Sequence, residues 1–366
     1  MRKPAVAVVL ALLFATIAMS CTQHTADRRI ARDHVRISVP ASVPVPVPRV
    51  VHYRHVYYVS PRGNDISPGT GSWPFRTISR ALQALGPGDA LYVRGGTYRE
   101  QVKATHVNSG TPSHRVLVAN APGERPVISG QLWLAYPSYW TINGINVTSD
   151  GSNSNQHMIN IYGGTGWVLQ NSEIWGARSH AALLIDDGDK NNLGQFDVRN
   201  NCIHDTYRTN GANEDHSIYV DDTSMSPHTA GVIEHNLIFN SYNGRGIKLG
   251  PPGSTGGPQN MVVRYNTFFG AYQNISLSRQ ASHNRIYRNI FFGAAEANIG
   301  TYHLTGTDNV AYDNLAFSSA RLADAGVTLG SGNRYPVDPK FDGISCHGFH
   351  PRVAAARAYG RFATGR

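Results

Sequence analysis

Six segments of this chain fall on one pattern: "WVLQNSEI" (167–174), "FDVRNNCI" (196–203), "GVIEHNLI" (231–238), "MVVRYNTF" (261–268), "NRIYRNIF" (284–291) and "NVAYDNLA" (309–316). Their sixth position holds Ser172, Asn201, Asn236, Asn266, Asn289 and Asn314, at spacings of 29, 35, 30, 23 and 25 residues. A repeat of irregular length with a fixed internal offset marks a solenoid whose turns vary while its strands do not. An amide side chain can donate to one neighbour and accept from another, so a stacked Asn column satisfies backbone groups that a sharp bend leaves unpaired. Asn also favours isolated turns, but that preference does not explain its constant offset from two apolar positions.

Each repeat carries a second short apolar strand: "MINIY" (158–162), "LLID" (183–186), "SIYVD" (217–221), "GIKLG" (246–250), "NISLS" (274–278) and "NIGTY" (298–302). β-branched strands, short turns and longer insertions at one corner predict an all-β, right-handed parallel β-helix over residues 53–342. Successive coils would pair in parallel about 4.8 Å apart. No helical period runs through the repeats, which excludes helical solenoids. Before them, "SWPFRTISRALQALGPGD" places Pro74 in a first helical turn, Ile78, Ala81, Leu82 and Leu85 at helical spacing, and Gly86 as a stop. A short N-terminal helix there would cap the open end of the first coil.

The ends differ from the body. Residues 1–20 read as a signal peptide, with Arg2 and Lys3 before an apolar run and small residues after it. "AMSC" permits either lipidation at Cys21 or a cut after Ser20, so a membrane tie would come only through that lipid. Residues 21–52 form a basic, Pro-rich spacer ("VPASVPVPVPRV") and residues 343–366 a basic tail. The formal charge of +9 resides in the tails: residues 51–342 hold as many acids as Lys and Arg. The body therefore offers no broad cationic footprint, and nucleic acid is excluded as a partner. The expectation is a secreted or extracytoplasmic monomer. Cys202 and Cys346 form no CxxC, which excludes zinc-ribbon and thioredoxin readings. They are either a disulfide or two buried free thiols, with free thiols preferred, because nothing in the spacing brings them within bonding reach.

Alternation places functional groups on one face. With Ile159, Leu183, Ile218, Ile247, Ile275 and Ile299 inward, the next residues point out: Asn160, Leu184, Tyr219, Lys248, Ser276 and Gly300. Two residues further along stand Tyr162, Asp186 and Asp221, followed at the turn by Asp187 and Asp222. Acids on two adjacent coils and a lysine on the next thus share a surface, with Asp189 nearby and Arg279 a coil beyond. Hard oxygen ligands from neighbouring strands suit Ca²⁺ and not a soft-ligand metal, which makes Asp186, Asp187, Asp221 and Asp222 the metal candidates. The plainer reading is an exposed Lys248–aspartate bridge worth about 0–1 kcal/mol. Tyr219, Arg245 and His216 are candidates for substrate contact, although a tyrosine column can simply shield strands and His216 can pack at a corner.

The stretch "YYVSPRGNDISPGTGSWPFRTISRALQALGPGDALYVRGGTYRE" (57–100) resembles the N-terminal block of secreted right-handed β-helix proteins allied to the family 9 pectate lyases. That resemblance implies an acidic polysaccharide substrate and Ca²⁺-assisted β-elimination, with Asp186, Asp221 and Asp222 as metal ligands and Lys248 as the base. Arg279 is a second cationic candidate for catalysis. Two rivals remain: a non-catalytic carbohydrate-binding or envelope protein, and a glycoside hydrolase using paired aspartates. The hydrolase reading lacks a "GHG" between its acids and its basic motif.

Overall fold

Residues 52–151, 157–178, 180–188, 193–206, 215–223, 230–251, 253 and 255–363 are described by a computed structural model. The expected leader, Cys21, nearly all of the spacer and Asp189 lie outside the described residues. Every strand ladder is parallel, and the coils stack into an eleven-stranded and a fourteen-stranded sheet. The larger sheet supplies two faces. Its long strands Leu237–Leu249 and Thr267–Ser278 round a corner, the first of them pairing at one end with Cys202–His204 and at the other with His216–Asp221. Each coil thus runs through a first face (Ile159–Tyr162, Ala181–Asp186, His216–Asp221), a second face in the eleven-stranded sheet, and a third face (Glu173–Trp175, Cys202–His204).

The turn from second to third face follows from its residues. Asn171, Asn200, His235, Tyr265, Arg288 and Asp313 take the left-handed conformation, with φ between 49° and 56°. The residue after each is the column seen in the sequence. Backbone N–H groups of Ser172, Asn201, Asn236, Asn266 and Asn289 donate to the Oδ1 of the next Asn at 2.9–3.1 Å. Each Asn Nδ2 from Asn201 to Asn314 in turn donates to a carbonyl of the preceding coil. The column goes one coil further than the repeats indicate, to Asn333, which accepts from Asn314 N at 3.0 Å. A second, shorter ladder joins Met261, Asn284 and Asn309. Inside, Trp167 stacks on Phe196 at 4.7 Å, and the inward isoleucine and leucine columns are fully buried.

Helix α1 (Ile78–Leu82) is shorter than the apolar spacing predicts. Thr77 caps it, accepting from Arg80 N, while Asp65 takes the amides of Arg76 and Thr77, and Glu100 those of Ile78 and Ser79. With the entry amides satisfied from outside, Pro74 and Phe75 stay out of the helix, and Phe75 bridges Val59 instead. Ile78 and Leu82 pack into the core beside Val93, Ile128 and Trp140.

Cys202 and Cys346 are joined by a disulfide, not left as the free thiols preferred from the sequence. The reason lies on the third face, where Leu237, Phe239 and Phe269 point away from the coil interior. The C-terminal segment returns across them. Phe349 is fully buried against Phe239 and Phe269, and Tyr359 packs with Ile290 and Leu315. Arg361 fastens the segment by donating to Asn201 O and, through its own amide, to Thr267 Oγ1. Burying that apolar strip brings Cys346 to Cys202 across 144 residues of sequence. A link over so long a loop stabilises by about 4–5 kcal/mol in the chain-entropy account.

Asn266 sits mid-column, fully buried, and its replacement by Ala strands the Asn236 amide and the Ile233 carbonyl. Asn266→Ala should cost about 3 kcal/mol or more in urea denaturation. A midpoint equal to the parent's would show that the column does not carry stability.

Candidate active site on the first face

The register follows the sequence alignment residue for residue. Ile159, Leu183, Ile218, Ile247, Ile275 and Ile299 are opposed in turn and fully buried. Outside them run Asn160, Leu184, Tyr219, Lys248 and Ser276, and in the next row Tyr162, Asp186 and Asp221 are direct partners. Lys248 Nζ lies 3.3 Å from Tyr219 Oη and 4.4 Å above that ring's centroid. It is on the same face as Asp221, one strand over and one outward step along.

Asp221 is the electrostatic centre of this group. Burial and the facing Asp186 push its pKa up to about 6, against a smaller pull from Lys248. Its Oδ1 is buried with no hydrogen-bond partner among the described residues. Tyr219 is also raised, by burial and then by Asp221. Asp186 Oδ1 accepts from Gly188 N at 2.8 Å. Asp187 serves differently from its expected role: its Oδ2 accepts both Thr223 N (3.0 Å) and Thr223 Oγ1 (2.9 Å), tying two turns together. Asp222 is fully buried.

The remaining candidates spread along the face. His216 is buried, edge-on to Tyr219 at 5.2 Å, and held well below the usual histidine pKa by desolvation and then by Lys248 and Arg245. Arg245, its register partner, donates to Gln273 Oε1 at 3.4 Å. Arg279 lies at the turn with φ 59°, its guanidinium over Tyr302 at 5.3 Å and its carbonyl accepting from Thr305 and Gly306. That places it at the Tyr302 end of the face, a coil past Lys248.

A hard cation fits part of this arrangement. The orphaned Asp221 Oδ1 belongs to a residue that faces Asp186 across one strand spacing, and oxygen donors of this kind suit Ca²⁺. The full set of four aspartates does not gather. Among the described residues, only Cys202, His204 and Cys346 bring three ligand atoms within 4.8 Å of one another, and those two sulfurs are bonded to each other. The fit is therefore limited to Asp186 and Asp221, whose carboxylates would be the groups to hold a cation here.

Sequence reasoning placed Asn160 on this face but missed the polar groups around it. Trp133 Nε1 and Asn160 Oδ1, register partners on this face, and Gln131 Oε1 and His157 Nδ1 just before them in the chain are buried and without hydrogen-bond partners among the described residues. Trp133 pairs with Asn160, so extending the stack one coil backward into "QLWLA" would have found it.

Asp221 has a folded pKa of about 6 against 3.8 for the free side chain, so the fold binds its proton more tightly than the unfolded chain does. Its favourable contribution is present below about pH 4 and is lost as pH rises through about 6. Asp221→Asn should raise stability at neutral pH by up to about 3 kcal/mol, and the gain should vanish below about pH 4. Thermal melts across that range test it, and a pH-independent difference would mean that relief of this ionisation is not the source of the gain.

The sequence model described as "Pel9A-like, right handed beta helix region" matches residues 57–241. Pectate lyase PEL9 of Emericella nidulans is 25% identical over 144 residues, covering 39% of this chain and 33% of that protein. YwoF of Bacillus subtilis is 39% identical over 74 residues, 20% of this chain and 15% of that one. The matched stretch thus spans a third or less of these curated relatives. The crystal structure of pectate lyase Pel9A superposes with a TM-score of 0.56 at 17% identity, covering 78% of each chain. On the family match, which takes in half of its length, this chain belongs to the Pel9A-like right-handed β-helix family.

Proposed function

We propose that this protein cleaves a uronic-acid polysaccharide outside the cytoplasm by β-elimination at the first face. The observation that carries the reading is the opposition of Asp186 and Asp221 beside Lys248 on adjacent coils. Burial and then the facing Asp186 raise the cost of ionising Asp221, and a cation held there would relieve it. Ca²⁺ held by Asp186 and Asp221 would neutralise the uronate carboxylate and acidify the adjacent C5 proton. Lys248, acting in its uncharged form, takes that proton on Nζ; the C4–O bond breaks, its electrons leave with the glycosidic oxygen, which takes a proton from water, and a C4=C5 double bond forms. Tyr219 orients the lysine from below through its ring and hydroxyl. The leader-like first twenty residues and the relatives named as pectate lyases support an exported enzyme with a polymeric substrate.

A second reading has one observation in its favour. Asp221, with its raised pKa, and Asp186 one strand away have the environment of an acid and a nucleophile in a retaining glycosidase. The products separate the two, since elimination leaves an unsaturated, ultraviolet-absorbing end and hydrolysis does not. The expected result is Ca²⁺-dependent growth of that absorbance on a polyuronate, reduced at least about a hundredfold in Lys248→Ala. New reducing ends without the chromophore would replace elimination by hydrolysis, and survival of turnover in Lys248→Ala would remove the lysine from its role.

A further inference from the structure

The outer column through Tyr219 and Lys248 continues past Asn160. Asn160 is the register partner of Trp133, and Trp133 of Lys103, so one straight file crosses six strands from Lys103 to Lys248. Two neighbours in that file share an uncommon property. Trp133 Nε1, a donor, and Asn160 Oδ1, an acceptor, are both buried and both lack a hydrogen-bond partner among the described residues. Buried polar atoms left without partners are rare and call for a physical reason, such as a ligand that completes them. A group that both accepts and donates would satisfy the pair together, and a sugar hydroxyl is such a group.

The surroundings select the same chemistry. Trp133 packs edge-on against Tyr162 (6.4 Å, 87°), and Tyr162 against Tyr136 (5.6 Å, 70°), so the indole is held rigidly from one side. Tyr162 is the direct register partner of Asp186, which joins this aromatic group to the acid pair without a gap. An indole with its N–H beside an amide acceptor suits a pyranose, which has an apolar face and a rim of hydroxyls. Lys103, exposed at the far end of the file, supplies a cation at the position one further sugar would reach.

We propose that Trp133 and Asn160 form a sugar subsite whose nearer strand lies two strand spacings, about 10 Å, from that of Asp221, with Lys103 meeting the carboxylate of the next uronate. This rests on the first face being a polyuronate cleft and adds the direction in which the bound chain extends. The occupant is an uncleaved stretch of the same uronic-acid polymer.

The test uses uronate hexamers, oligogalacturonate and oligomannuronate in parallel, titrated into the full chain in the Lys248→Ala background so that no turnover intervenes. At least one hexamer should bind, with Trp133→Ala weakening it about tenfold and Asn160→Ala weakening it in the same direction. Binding should also shift tryptophan emission, and Trp133→Phe, which keeps an aromatic ring in the packing, should remove that shift. Unchanged affinity in both alanine variants, an emission shift that persists in Trp133→Phe, or no binding of either hexamer overturns the subsite. Failure of the elimination chemistry shows differently, as turnover without an unsaturated product, and leaves these binding differences standing.

Discussion

The constraint on which this molecule depends is that neighbouring coils cannot slip. In a parallel stack the side-chain period is two, so a shift of one residue turns every inward isoleucine out and every outward aspartate in. The column from Ser172 to Asn333 opposes that slip. Its inner amides are bonded to the coil on either side, and each member from Ser172 to Asn314 follows a residue held in the left-handed conformation. The column stands between the second and third faces, away from the acids. Its register is carried round the corner by strands such as Leu237–Leu249, which pair on both faces. A bulge between Ser241 and Arg245 absorbs the bend before Lys248 is reached.

A stack that cannot slip can hold like charges together. On a flexible loop, Asp186 and Asp221 would swing apart or into water; as register partners on adjacent strands they keep one spacing. Burial and then this fixed spacing raise the pKa of Asp221, a cost that the hydrophobic core offsets. The same rigidity holds Lys248 Nζ over the Tyr219 ring. Rigid walls of this kind lower the reorganisation needed when a charged substrate arrives.

How much of this was legible in the sequence depends on how local the signal is. Ile159 through Ile299 could be aligned because inward strand positions are apolar and repeat, and the alignment placed Asp186 opposite Asp221 and Lys248 opposite Tyr219. The contact of Asp187 with Thr223 and the place of Trp133 on the first face were hidden. Asp187 looks like its neighbour Asp186 until Thr223 is seen to occupy it, a contact across 36 residues. Trp133 precedes the regular repeats, where the long strand Pro126–Ala135 disguises the period. The disulfide was equally out of reach, because Cys346 is placed by the burial of Phe349, not by any strand pattern.

Comparison of the three faces shows why the proposed chemistry is assigned to one of them. On the second face the described charged groups are largely engaged by their neighbours: Arg264 binds Glu234 and Tyr287, and Arg199 pairs with Asp197 and binds Gln170. From Cys202 onward the third face is covered by the C-terminal segment and its disulfide. Among the described residues, the buried side-chain atoms left unsatisfied are concentrated on the first face, including an aspartate oxygen, an indole nitrogen and an amide oxygen. Folding alone gives no reason to keep such atoms, since each costs about 1–3 kcal/mol and an apolar residue of similar shape would remove the cost. Their concentration on the wall that also carries Lys248 is most simply understood as readiness for a ligand that folding does not supply.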